Sequence, residues 1–168
     1  MSAILRKKLC VLWLTVWSIT GGAEEKIVYS TWDTLEVDKC ASIWLIKQHI
    51  APQAEIRFFK KGEPITEGIE FDTPTALFRR YHNKSTYETL LDHYKLKDEK
   101  LVYIGRIIHD IEVNIWEKKI MKETPDLEKA VGTIITSPDK EKIVKECFQY
   151  FKKYGAIELR KGKKLEGH

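Results

Sequence analysis

His109 and Glu112 stand three residues apart in Leu101–Trp116, a stretch whose apolar residues recur at helical spacing. Side chains at i and i+3 of a helix converge, so this imidazole and carboxylate could share a divalent metal ion or pass a proton. Leu101, Ile104, Ile108, Ile111 and Ile115 fall on one helical face. Gly105, His109, Glu112 and Trp116 form the adjacent stripe, and Glu112 lies inside the apolar arc. A carboxylate there must be paired, hydrogen-bonded or bound to metal, because an isolated buried charge is costly. Gly105 leaves room for a ligand one turn earlier. The alternative is a His109–Glu112 hydrogen bond that only orders the core. Asp110 projects to the opposite side, four residues from Arg106, as half of a surface ion pair.

A second group of residues is cationic. Lys39 projects among Ile43, Ile46 and Ile50 of a largely apolar helix. Its ammonium either snorkels to water or sits at a pocket mouth, where the positive end of the helix would help it bind an anion. The run Arg79-Arg80-Tyr81-His82-Asn83-Lys84 either holds an oxyanion or forms a solvated loop. Lys39, Arg80, His82, His109 and Glu112 are therefore the candidate binding residues, with His109 and Glu112 as the candidate metal ligands.

The elements that must position them read as follows. Lys26–Trp32, Ala54–Phe59 and Ile69–Asp72 have strand composition. Asp38 is a plausible N-cap for a helix over Lys39–Ile50, which Pro52 stops. Lys60–Gly68 is a loop, and Thr75–Arg80 a short helical turn. Ser85–Tyr94 opens with a capping-box pattern, and Lys97–Lys118 is a long helix. Pro125 starts a helix to Ile135; Ser137-Pro138 opens another that Gly155 ends. The fold class is α+β: about three short strands near the mature N-terminus, packed on a cluster of about five helices.

The first residues read as an export signal. Arg6, Lys7 and Lys8 precede the uncharged apolar run Leu9–Trp17, and small or neutral residues lead to Ala23. The run is about half the roughly 20 residues a membrane-spanning helix needs. The expected organisation is a signal peptide over 1–23, one domain over 24–158 and a basic flexible tail over 159–168. Such a chain is periplasmic or secreted after cleavage, with no membrane insertion. The whole chain has 29 Lys and Arg against 25 Asp and Glu, and three of the basic residues lie in the signal. The remainder is close to neutral, which argues against a nucleic-acid partner. Cys40 and Cys147 remain after cleavage; in an oxidising compartment they could pair, and two buried free thiols are the favoured reading.

Asp38-Lys39-Cys40-Ala41-Ser42-Ile43-Trp44-Leu45-Ile46 resembles the Asp-Arg-x-Ala-Cys-Pro-Trp-Leu-Ile segment of the chromate-resistance protein family. Phe71-Asp72-Thr73-Pro74 is similar to its Phe-Asp-x-Pro, and His109-Asp110-Ile111-Glu112 to its His-Asp-x-Asp. The resemblance spans residues 27 to 154, in the order and spacing of the family. In that family the domain occurs at the C-terminus of the chromate-responsive regulator and alone in exported relatives. Lys39 replaces the family Arg and loses its planar fork; Ser42-Ile43 replace Cys-Pro; Glu112 replaces Asp; and Arg80 or His82 stands for a family His.

The resemblance implies a part in resistance to chromate or a similar oxyanion. The first functional reading is an exported domain that binds or senses a small oxyanion or metal ion, with a divalent metal as the one cofactor considered. A metal-dependent hydrolase or reductase of the cell envelope is the second. No dinucleotide fingerprint or Cys-x-x-Cys supports a reductase. A non-catalytic interaction protein of the envelope is the third.

Overall fold

The computed structural model describes residues 26–165, with side chains as far as Tyr154. The expected signal peptide lies outside the described residues. Among them, no helix is long and apolar enough to cross a membrane.

The β-rich stretch becomes a three-stranded parallel sheet of order β2-β1-β3, with β1 at Val28–Trp32, β2 at Glu55–Phe59 and β3 at Ile69–Glu70. Between β1 and β2 runs helix α1, Val37–Leu45, and every one of its nine residues is buried. Its last carbonyls pass into a π-helical turn, Ile46–Ile50, closed by the Ala51 amide on the Ile46 carbonyl at 2.7 Å. Among the described residues four more helices follow: α2 at Thr86–His93, α3 at Glu99–Glu112, α4 at Thr124–Ile134 and α5 at Lys140–Leu165. The α+β expectation therefore holds. Helix α1 is the central element, packed against α2, α3, α4 and α5. Its Ile43, Trp44 and Leu45, with Ile46 of the π-helical turn, join Tyr29, Tyr87, Ile104, Ile108, Leu127 and Phe151 in one core.

Several boundaries differ from the sequence expectation. Helix α1 begins at Val37, so Asp38 lies in its first turn instead of capping it. Helix α3 stops at Glu112, six residues short of Lys118. The chain folds back there because Lys119 Nζ donates to the carbonyls of Asp110 and Asn114 at 2.6 and 3.0 Å, supplying a cation at the negative helix end. Ile115 and Trp116 consequently leave the helical stripe and stand 57% and 90% exposed. Thr75–Arg80 forms no helical turn. The Asp72 amide takes the Phe78 carbonyl at 2.7 Å, Phe78 bridges to Phe71, and its buried ring packs on Tyr94. Helix α5 runs through Gly155 to Leu165.

Gly105 also has a different role from the one its spacing suggested. A Cβ there would lie 3.2 Å from Leu91 and 3.5 Å from the Tyr87 ring. The missing side chain lets α3 approach α2 closely and leaves no space for a ligand.

Candidate functional site

The carboxyl ends of all three parallel strands open on one cavity. Trp32 ends β1 and Thr34 follows it, Lys61 follows β2, and Asp72, Thr73 and Pro74 follow β3. Glu36 and Lys39 come from the start of α1, and Arg79 and Arg80 from the segment before α2. The cavity is about 390 Å³. In parallel sheets, ligands bind beyond the strand carboxyl ends, where helix N-termini also point.

Lys39 does not snorkel. Its side chain is 3% exposed, and Nζ donates to the Trp32 carbonyl at 2.9 Å and lies 3.5 Å from Asp72 Oδ2. Asp72 is held by Thr86, whose hydroxyl donates to Oδ1 at 2.6 Å. Its backbone has φ 53°, a left-handed conformation that non-glycine residues adopt at a cost. The ammonium is therefore fixed at the back of the cavity. Arg79 is placed over the Tyr81 ring, 4.4 Å from its centroid, and donates to the Ala76 carbonyl.

Arg80 and Glu112 meet at the rim. Arg80 Nη1 donates to Glu112 Oε2, and Nη2 lies 3.8 Å from Glu36. The other Glu112 oxygen accepts the Asp38 amide at 3.3 Å, so this carboxylate from α3 sits on the positive start of α1. Burial raises the Glu112 carboxyl above its ordinary value, against the pull of Arg80 and the Asp38 amide. The carboxylate inside the apolar arc thus has its required partners, but His109 is not among them.

His109 turns instead toward α2, its Nδ1 2.9 Å from Glu88 Oε2. Glu88 also accepts the Ser85 amide at 2.9 Å while the Ser85 hydroxyl takes the Glu88 amide, completing the expected capping box. His109 and Glu88 line a separate cavity of about 580 Å³ with Arg106, Asn114, Glu117 and Met121. His82 is exposed in the Tyr81–Lys84 turn and lines neither cavity. Among the described residues, no group of three or more His, Cys, Asp or Glu side chains is gathered to hold a metal ion. The candidates thus separate: Lys39 and Arg80 share the strand-end cavity, Glu112 backs Arg80, and His109 and His82 lie elsewhere.

Two carboxylates have structural duties that their spacing did not announce. Asp38 is buried and accepts the amides of Thr86 and Tyr87 at 2.6 and 2.9 Å, capping α2 instead of α1. Burial and then the nearby Asp72 push its carboxyl up to about 8, while those amides pull the other way. Asp110 is no surface ion pair. It is 3% exposed and accepts from Asn114, the Ile120 and Met121 amides and the Thr124 hydroxyl. Burial pushes its carboxyl up, but these bonds outweigh that and bring it down to about 2.

The sequence reading missed Lys61 and Glu36. Lys61 had a usable signal, being two residues beyond the strand ending at Phe59. Glu36 had none, because the start of α1 was placed too late.

No curated protein and no solved structure matches the chain. Residues 29–156, which include β1 from its second residue and the greater part of α5, match the family described as ChrB, C-terminal domain. That span contains every residue of the strand-end cavity. The chain therefore belongs to the ChrB C-terminal-domain family, within the chromate-resistance proteins.

Proposed function

We propose that this chain is an exported domain that binds or senses a small oxyanion, chromate or a close analogue, in the cavity at the strand ends. The observation that carries this reading is the buried Lys39 ammonium, which opens with Lys61, Arg79 and Arg80 into one cavity of about 390 Å³. A tetrahedral dianion needs several converging donors and gains from cations held in place before it arrives. Lys39 would supply a point charge from the back, and the guanidinium groups would close on the anion from the rim. Glu112 would act on Arg80, setting its position and giving it up in part when the anion binds. His109 would have no direct contact with this ligand. The export expectation and the absence of a nucleic-acid partner belong to the same proposal.

Calorimetric titration of the chain with chromate and with sulfate at low ionic strength tests it. The expected result is binding at millimolar concentration or tighter, weakened at least tenfold in Lys39→Met and in Arg80→Ala. No heat with either anion at millimolar concentration refutes it. The envelope-interaction reading is favoured by one observation, the exposed apolar side chains of Ile115, Trp116 and Ile120 in the α3–α4 connection. It requires the opposite outcome, no heat with either anion.

A further inference from the structure

Cys40 lies in the middle of α1 and Cys147 in α5, 107 residues later. Each is 1% exposed. Ile143, Cys147 and Phe151 recur at i, i+4 and i+8 and form the buried stripe of α5, which packs directly on α1. Both sulfurs thus sit at the centre of a rigid helix–helix contact. In the structure both are buried free thiols, as the sequence reading favoured, and Cys147 Sγ donates to Cys40 Sγ at 2.9 Å, less than ~1 Å beyond the length of a disulfide bond. We infer that Cys40 and Cys147 are the two halves of a disulfide that staples α1 to α5. This goes beyond the anion-binding proposal and does not depend on it.

The chemistry is thiol–disulfide exchange with a small disulfide oxidant such as oxidised glutathione. One cysteine thiolate attacks a glutathione sulfur, forming a mixed disulfide and releasing one glutathione thiol. The second thiolate attacks the protein sulfur of that mixed disulfide and releases the other glutathione. Two protein thiols are oxidised and one glutathione disulfide is reduced, with the two protons carried by the glutathione thiols that leave.

The order of events also follows. Both thiols are 1% exposed and out of reach of glutathione in the folded protein, and contact with Cys147, then burial, hold the Cys40 thiol far above its ordinary range. The exchange belongs to folding, before α5 has closed over α1. Once formed, the bond is sealed from reductants in the native protein. Because the staple encloses a long stretch of chain, it removes much of the freedom of the unfolded state. Lys39 immediately precedes Cys40, so the staple also fixes the helix that presents the buried ammonium to the cavity.

The test is to refold the full chain in a mixture of oxidised and reduced glutathione, then unfold it in iodoacetamide without reductant and map the peptides. The expected result is a Cys40–Cys147 linked peptide with Cys10 alkylated. Refolding in excess reductant, with the thiols left unmodified, should give a Tm lower by on the order of 10 °C. Cys147→Ala should show no difference between oxidised and reduced samples. Alkylation of both Cys40 and Cys147 after oxidative refolding overturns the inference, and so does a linkage through Cys10. If Cys147→Ala does not fold, the peptide map of the unsubstituted chain still decides.

Discussion

Replacing Lys39 by Met keeps much of the side-chain volume and removes the charge at the back of the cavity. At 3.5 Å the Lys39–Asp72 attraction is about 5 kcal/mol in an effective dielectric near 20. Desolvating the ammonium offsets much of this, because its side chain is only 3% exposed. The variant loses the pair and the bond to the Trp32 carbonyl, and leaves Asp72 without its cation. Breaking a fully buried pair costs about 3–5 kcal/mol. Asp72 is 17% exposed and faces the cavity, so water can partly replace the ammonium and a loss of about 2 kcal/mol is expected. Asp72→Asn in the native background should also destabilise, but in the Lys39→Met background it should cost little or stabilise. The double-mutant coupling should be about 1–2 kcal/mol, read from urea denaturation of the four proteins. A coupling below about 0.3 kcal/mol would refute the claim that these two side chains hold one another.

Other predictions concern the carboxylates that organise the helices. Asp110→Asn should cost about 2–3 kcal/mol, since an amide oxygen cannot accept all the donors that converge on the native carboxylate. With its folded pKa lowered to about 2, Asp110 contributes stability that is present above the ordinary carboxyl range and lost as pH falls through about 2. Denaturation midpoints measured from pH 5 down to pH 2 should therefore fall less steeply in Asp110→Asn than in the native chain. Asp38→Ala should destabilise by about 2 kcal/mol, because it uncovers two buried amides of α2, and hydrogen exchange should speed up at Thr86 and Tyr87. Equal exchange rates at these amides in variant and native protein would remove Asp38 as the cap.

The sequence made legible what depends on local pattern. The strand positions, the Ser85–Glu88 capping box and the apolar stripe of α3 up to Ile111 follow from residue spacing alone, and the structure realises them. The warning raised by Glu112 was sound, because a carboxylate in an apolar arc needs partners. Which partners it has was not legible, since Arg80 and the Asp38 amide are remote in sequence. The same limit explains Asp38 and Asp110. Each resembles an ordinary helix-terminal or surface acid, yet each reaches across the fold to amides 10 to 49 residues away. Helical periodicity also overran the end of α3, because the stop is made by Lys119 and Asp110 acting through space. His109 and Glu112 share a helix and diverge, one toward α2 and one toward α1, since each finds a better partner on a neighbouring helix than on its own.

Glu112 also changes what the cavity would respond to. Its carboxylate is an anion already present, anchored to α3 and resting against Arg80 and the Asp38 amide. A tethered group of this kind competes as if it were dissolved at millimolar effective concentration, and it cannot be washed away. An oxyanion arriving at the rim must displace that resident carboxylate from Arg80, whereas at the back of the cavity it meets Lys39 held by Asp72 and the Trp32 carbonyl. Under the proposed function, trace anion would engage the interior cation first, and the guanidinium would yield only when external anion is abundant or doubly charged. The tether would thus set a threshold, and its height could be lowered by one substitution that leaves every cation in place.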